Sequence, residues 1–164
     1  MEIRYGKERQ GHIMSRKFHQ YYLNVAKETA KLSYANRLKV GAVLVKDNNI
    51  ISSGYNGTPT GKSNECETTQ EDGSLVTKPE VLHAEENCIG KVAASTQSSK
   101  GATLYLTHPP CIRCAKLIHS AQIEEVWYAE EYVNGNDEGK EFLISVGVSV
   151  FTPKQLWSDY DNQN

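Results

Sequence analysis

Two short stretches hold residue types that could do chemistry: His83-Ala84-Glu85, and Pro110-Cys111-Ile112-Arg113-Cys114. One imidazole and two thiolates make three ligands suited to a borderline-soft ion such as zinc, and three protein ligands leave a fourth tetrahedral position open for water. Zinc would lower the pKa of that water until hydroxide is available near neutral pH. Glu85 lies two residues beyond His83, within reach of such a water without being a ligand itself. That is where a proton shuttle belongs. An H-x-E triplet alone says little, because five His among 20 Asp+Glu produce it readily by chance. A C-x-x-C drawn from only four Cys is rarer, and both motifs in this order, one preceded by proline, form a strong signal.

The same residues admit other readings. Cys66, Cys88, His108 or His119 could complete a four-ligand structural zinc site, although that leaves Glu85 and Pro110 without a reason. Cys111 and Cys114 could form a redox pair, with His83-Ala84-Glu85 a coincidence. His83 could also be an ordinary core histidine.

Whatever the chemistry, elements must position these side chains. One helix is expected to start near His83 and run to about residue 94, and another covers residues 111–121, entered through Pro109 and Pro110. Proline suits a first helical turn. The positive end of each helix then sits at the ligands and favours thiolate over thiol, and the i,i+3 spacing puts both sulfurs on one face. Upstream, Phe18, Tyr21, Tyr22, Val25, Ala26 and Thr29 recur at helical spacing over residues 14–32. An apolar run at 40–45, turn chemistry at Asp47-Asn48-Asn49 and a second run at 50–55 predict a hairpin.

Residues 56–80 are crowded with Gly, Pro, Thr, Asn and Glu and lack any period, which predicts a long functional loop. Strands follow at 102–107, 126–129 and 148–152, with a helix over 137–146. The order is helix, hairpin, then βαβαβ units. It predicts an α/β fold: three α/β/α layers around a five-stranded mixed sheet, with helices on both faces. Residues 14–152 are expected to form a single domain, with a flexible arm at 1–13 and a polar tail at 153–164.

A chain of 164 residues suits one domain. With 18 Lys+Arg against 20 Asp+Glu there is no basic excess to capture long nucleic acid, though a small phosphorylated ligand needs only one or two placed cations. No apolar stretch approaches the roughly 20 residues of a membrane span, and the opening MEIRYGKERQGH lacks a hydrophobic signal core. A cytoplasmic place is expected. Four Cys are too sparse for a disulfide scaffold, so they read first as metal ligands.

H-x-E followed by P-C-x-x-C is the signature of the zinc-dependent nucleobase deaminases, and the chain resembles that family over roughly residues 14–152. The resemblance implies a cytidine deaminase-like fold. It also implies His83, Cys111 and Cys114 as zinc ligands, with Glu85 as general acid/base carrying protons to the ring nitrogen and the leaving ammonia. Arg37-Leu38-Lys39-Val40-Gly41-Ala42-Val43, residues 54–61, Thr107-His108-Pro109-Pro110-Cys111 and the Tyr128 and Tyr132 pair are similar to the deoxycytidylate (dCMP) deaminase branch. That branch implies hydrolysis of dCMP to dUMP and ammonia, feeding thymidylate synthesis. It further implies a hexamer activated by dCTP and inhibited by dTTP, with Mg2+ accompanying the triphosphate.

Individual residues can meet a nucleotide's demands. Asn56 offers a donor and an acceptor to a sugar hydroxyl or base edge, or belongs to a turn-rich hairpin exit. Arg37 can grip a phosphate bidentately, or is a surface arginine. Tyr132 offers an aromatic face and a hydroxyl, or is a half-buried tyrosine at a strand end. Tyr128 reads as core. His108, beside the cysteine motif, is placed to line a pocket, while His12, His19 and His119 read as surface.

The resemblance implies effector contacts from Gly57, Gly61, Lys62, Asn64 and Glu67, where glycines let backbone N–H groups approach phosphates; Lys62 by itself reads more readily as an ordinary solvated lysine. Two departures stand out. Residues 68–82 hold no Cys or His, so the second, structural zinc of several members is not expected, and Cys66 and Cys88 read as plain thiols. Residues 90–94 lack the arginine that some phage members place there. The competing functions are a tRNA adenosine or free cytidine deaminase of the same fold, and a non-catalytic zinc-containing nucleotide sensor. A sensor would have no use for Glu85.

Overall fold

The structure, a computed structural model, describes residues 14–133, 135 and 137–154. The expected arm at 1–13, with His12, and residues 155–164 of the expected tail lie outside the described residues. In chain order the elements are α1 (Arg16–Ala30), β1 (Gly41–Lys46), β2 (Asn49–Tyr55), β3 (Glu67–Thr69), β4 (Leu75–Thr77), α2 (Ala84–Ala93), β5 (Thr103–Leu106), α3 (Ile112–Ser120), β6 (Glu125–Tyr128), α4 (Glu138–Ser145) and β7 (Ser149–Phe151).

Side-chain alternation along three central strands decides the layering. Ala42 and Leu44 of β1, Leu104 and Leu106 of β5, and Val126 and Tyr128 of β6 share one core cluster with residues of α2, α3 and α4. Their neighbours Val43, Val45, Tyr105 and Trp127 point the other way and pack with Tyr22, Leu23 and Ala26 of α1. Successive residues of a strand face opposite sides of a sheet, so a strand buried on both faces reads as a continuous apolar run. The result is three layers: α1, the sheet, then α2, α3 and α4.

The sheet runs β2-β1-β5-β6-β7. β1 is antiparallel to β2 and β5, whereas β5, β6 and β7 are parallel. It is therefore the five-stranded mixed sheet expected. The β1–β2 turn is Asp47-Asn48, with φ of 49° and 60°, the left-handed pair that matches the twist of a two-residue hairpin. The Tyr22 hydroxyl donates to the Asn48 carbonyl at 2.8 Å and so fastens the turn to α1. No helix among the described residues is long and apolar enough to cross a membrane.

Two expectations need correction. Residues 56–80 are not wholly loop, because β3 and β4 pair antiparallel within them. Each has only three residues, too few for alternation to show. His19 is not a surface residue. It precedes Tyr22 and Leu23 by three and four positions on the buried face of α1, stacks on Trp127 with centroids 3.9 Å apart, and shares a 2.9 Å hydrogen bond with the Tyr105 hydroxyl. Burial pulls its pKa down to about 4.

Candidate active site

In parallel α/β sheets, ligands bind beyond the carboxyl ends of the strands, and both motifs converge there. β5 ends at Leu106 and the chain runs through Thr107, His108, Pro109 and Pro110 to Cys111, the N-cap of α3. The exit is pinned twice: the Thr107 N–H donates to the Gly41 carbonyl at 3.1 Å, and the Gly41 N–H donates to Thr107 Oγ1 at 3.1 Å.

His83 is the N-cap of α2. That helix is drawn onto β2 by Gly54, where a Cβ would lie 2.5 Å from the Ala84 carbonyl oxygen and 2.6 Å from the Cys88 nitrogen. The Asn87 side chain adds a 2.8 Å donation to the Tyr55 carbonyl. Only glycine allows so close a backbone approach.

These anchors bring His83, Cys111 and Cys114 together, with their donor atoms all within 4.8 Å of one another. His83 Nδ1 lies 3.6 Å from Cys111 Sγ and 3.4 Å from Cys114 Sγ. A tetrahedral zinc with nitrogen at about 2.0 Å and sulfur at about 2.3 Å sets those atoms roughly 3.5 Å apart. The donor set and its spacing fit the ion. Among the described residues the cluster recruits none of Cys66, Cys88, His108 and His119 as a fourth ligand, which opposes a closed structural site.

Hydrogen bonding from Cys114 and His83 pushes the Cys111 thiol down to about 3. The same interaction with Cys111, with burial, drives Cys114 up, and the bond to Cys111 raises His83. A thiolate is thus on hand for a cation.

Glu85, one residue into α2, is only 4% exposed. Burial lifts its carboxyl to about 7 despite the opposing pull of its own backbone N–H and of His83. A carboxyl poised near neutrality can both take and give a proton.

His108 and Tyr132 form a stacked pair, with centroids 5.1 Å apart and planes at 22°. His108 Nδ1 is held 3.1 Å from Thr107 Oγ1; burial lowers the His108 pKa and raises that of Tyr132. Tyr128 is core, 3% exposed, with its hydroxyl on Glu131. Asn56 is built into the backbone: its Oδ1 accepts from the Val40 N–H at 2.8 Å, and its Nδ2 donates to the Leu38 carbonyl at 2.9 Å. An amide retains one N–H and one lone pair after two such bonds.

Arg37 leans on the small hairpin. Its Nη1 donates to Thr77 Oγ1 at 3.0 Å, and its backbone N–H donates to Glu67 at 3.1 Å. Asn64 and Glu67 line a cavity of about 450 Å³ with Tyr34, Asn36, Glu65 and Leu75, and Gly57, Gly61 and Lys62 do not line it. Gly57 instead bridges to Leu82, just ahead of His83.

Sequence reasoning missed two residues at the site. Glu86 accepts the His83 backbone N–H at 2.7 Å. It stands three residues past the N-cap, as in a capping box, but histidine is not a cap residue that the pattern would flag. Gly139 seats α4 against the turn before Cys111; an isolated glycine in a helix was its one signal.

A parallel β5-β6-β7 sheet with an imidazole, two sulfurs and a buried carboxyl clustered beyond β5 defines a class, the cytidine deaminase-like α/β fold with one three-donor metal site. The chain belongs to the cytidine and deoxycytidylate deaminase family, whose zinc-binding region matches residues 16–130. It is similar to the deoxycytidylate deaminase of Enterobacteria phage T4, 32% identical over 71% of this chain and 80% of that one. It is also similar to the deoxycytidylate deaminase of Mycobacterium phage D29, 36% identical over 68% of this chain and 94% of that one. Among solved structures, the dCMP deaminase of cyanophage S-TIM5 in complex with dCMP and dUMP matches with a TM-score of 0.78 and 40% identity. That match covers 85% of this chain and 99% of the other.

Proposed function

We propose that this protein converts dCMP and water to dUMP and ammonia, with His83, Cys111 and Cys114 holding zinc and Glu85 moving the protons. The observation that carries this reading is the 3.4 Å and 3.6 Å nitrogen–sulfur spacing beside a buried glutamate, in a chain 40% identical to a protein solved with dCMP and dUMP. Bound zinc supplies the Lewis acidity that makes water nucleophilic near neutral pH. Glu85 would take one proton from the attacking water and give it to the ring nitrogen. It would then take the second from the hydroxyl added at the ring carbon and give it to the departing amine as the carbonyl forms and ammonia leaves. Its burial keeps those protons from bulk solvent.

The His108 and Tyr132 pair forms a wall for the base. The remaining N–H and lone pair of Asn56 meet the sugar hydroxyl, and Arg37, with guanidinium donors left after Thr77, reaches the 5′-phosphate. The cavity at Asn64 and Glu67 holds the regulators, activating dCTP and inhibiting dTTP. Its lining contains Glu65 and Glu67 and no Lys or Arg, so a triphosphate needs Mg2+, whose preference for oxygen ligands those side chains match. Gly57, Gly61 and Lys62 border that loop. The working form is a cytoplasmic hexamer that feeds thymidylate synthesis.

The test is ammonia release, with zinc present, from dCMP, dCTP, deoxycytidine and a tRNA in parallel. We expect dCMP to exceed deoxycytidine at least tenfold in kcat/KM and Arg37→Ala to erase much of that margin by raising KM. Equal rates on dCMP and deoxycytidine would remove phosphate recognition, and turnover of the tRNA alone would replace the substrate.

A further inference from the structure

We propose that Glu86 is a positioning residue for the zinc site, clamping its imidazole half to its thiolate half through Arg113; this rests on the zinc assignment above. The two halves come from separate helices, with His83 capping α2 and Cys111 capping α3. Each helix is fastened to the sheet, but a metal site needs the halves fixed to one another. Glu86 Oε2 accepts the backbone N–H of His83 at 2.7 Å. Arg113 Nη2 lies 3.2 Å from that oxygen and 3.2 Å from Oε1. One carboxylate therefore grips the ligand residue of α2 and a side chain standing between the two cysteines of α3.

An exposed ion pair by itself contributes little, and the Arg113 side chain is 61% exposed against 22% for Glu86. The geometry gives this pair a different weight. A shift of the Glu86 carboxylate moves the N-cap from which the imidazole hangs, and Arg113 ties that carboxylate to the first turn carrying both sulfurs. Groups that orient metal ligands are worth about ten- to a hundredfold in metal affinity. Glu86 holds backbone rather than the ring, which places it at the lower end.

The experiment is chelator competition on the zinc-loaded full chain, with the absorption spectrum of the cobalt-substituted protein as second readout. The variants are Glu86→Ala, Glu86→Gln, Arg113→Gln and the double Glu86→Ala/Arg113→Gln. Glu28→Gln, which breaks the exposed Lys31 pair on α1, is the control. Glu86→Ala is expected to weaken zinc about tenfold and shift the cobalt bands. Glu86→Gln, whose amide oxygen still accepts from His83, loses less. The double variant is no worse than Glu86→Ala, since one interaction cannot be lost twice.

Zinc constants within twofold of wild type with superimposable cobalt spectra would overturn the clamp, even if melting temperatures fell. Multiplying losses in the double variant would overturn the link through Arg113. Should Glu86→Ala not fold, Glu86→Gln and Arg113→Gln read the same quantities. Wild-type protein with no tight zinc would defeat the proposed function itself, whereas tight wild-type zinc with unchanged variants defeats only the clamp.

Discussion

Gly139 and Pro110 are in backbone contact: no side chain fits between α4 and the turn that leads to Cys111. A Cβ on Gly139 would collide with the Pro110 carbonyl oxygen and lie 3.0 Å from the Cys111 carbonyl carbon. Gly139→Ala must push α4 away or move Cys111, so it should cost about 1–3 kcal/mol and weaken zinc as well. Gly90, on the exposed side of α2, has nothing within 4 Å of its would-be Cβ. Gly90→Ala should stabilise by up to about 1 kcal/mol through helix propensity. Urea midpoints and zinc content of the two variants check the opposite signs; equal effects would contradict the packing argument.

Glu85→Gln should separate chemistry from metal binding. Glutamine keeps the shape of a side chain that is 4% exposed but cannot cycle a proton. Turnover should fall by about 10²–10⁴-fold, the usual worth of general acid–base catalysis, with zinc per chain unchanged. A variant that retains wild-type kcat would remove Glu85 from the mechanism.

Much of this was legible because the period of the pattern and its chemistry agree. The run Val40 to Val45 announced a strand, and Cys111 after two prolines announced a helix start. The metal donors were readable because few residue types bind zinc and their spacing is local. What stayed hidden depends on contacts distant in sequence. His19 looks like any polar residue on α1 until Trp127 and Tyr105, more than 80 residues away, arrive to bury it. Glu86 meets Arg113 27 positions along the chain, and β3 and β4 are too short to carry a period. Asn56 reads from the sequence as either a nucleotide contact or part of a hairpin exit, and the structure adds that its side chain splints residues 38–40.

Stability should decline in mild acid because of His19. Its folded pKa is about 4, below the ordinary 6.5, so the unfolded chain binds the extra proton between those values. The contribution is complete above pH 6.5, is lost as pH falls from about 6.5 to about 4, and is flat below. Partial exposure of the ring reduces its size to about 1 kcal/mol. Urea unfolding at pH 7 and pH 5 should show a smaller difference for His19→Gln than for wild type. An identical difference would assign the acid sensitivity elsewhere.

The four cysteines should report on the metal site separately. Cys111 is exposed, whereas Cys66, Cys88 and Cys114 are buried. Burial raises the Cys66 thiol and pushes Cys88 up to about 11, so neither supplies thiolate at neutral pH. Zinc-loaded protein should therefore react slowly with an aromatic disulfide reagent, since its accessible sulfur is engaged. After chelation Cys111 should react first, Cys114 should follow as the turn loosens, and Cys66 and Cys88 should wait for global unfolding. Cys111→Ser should delete the fast phase alone. If chelation leaves the fast phase unchanged, the reactive sulfur is not a zinc ligand, because coordination and nucleophilic attack compete for the same lone pair.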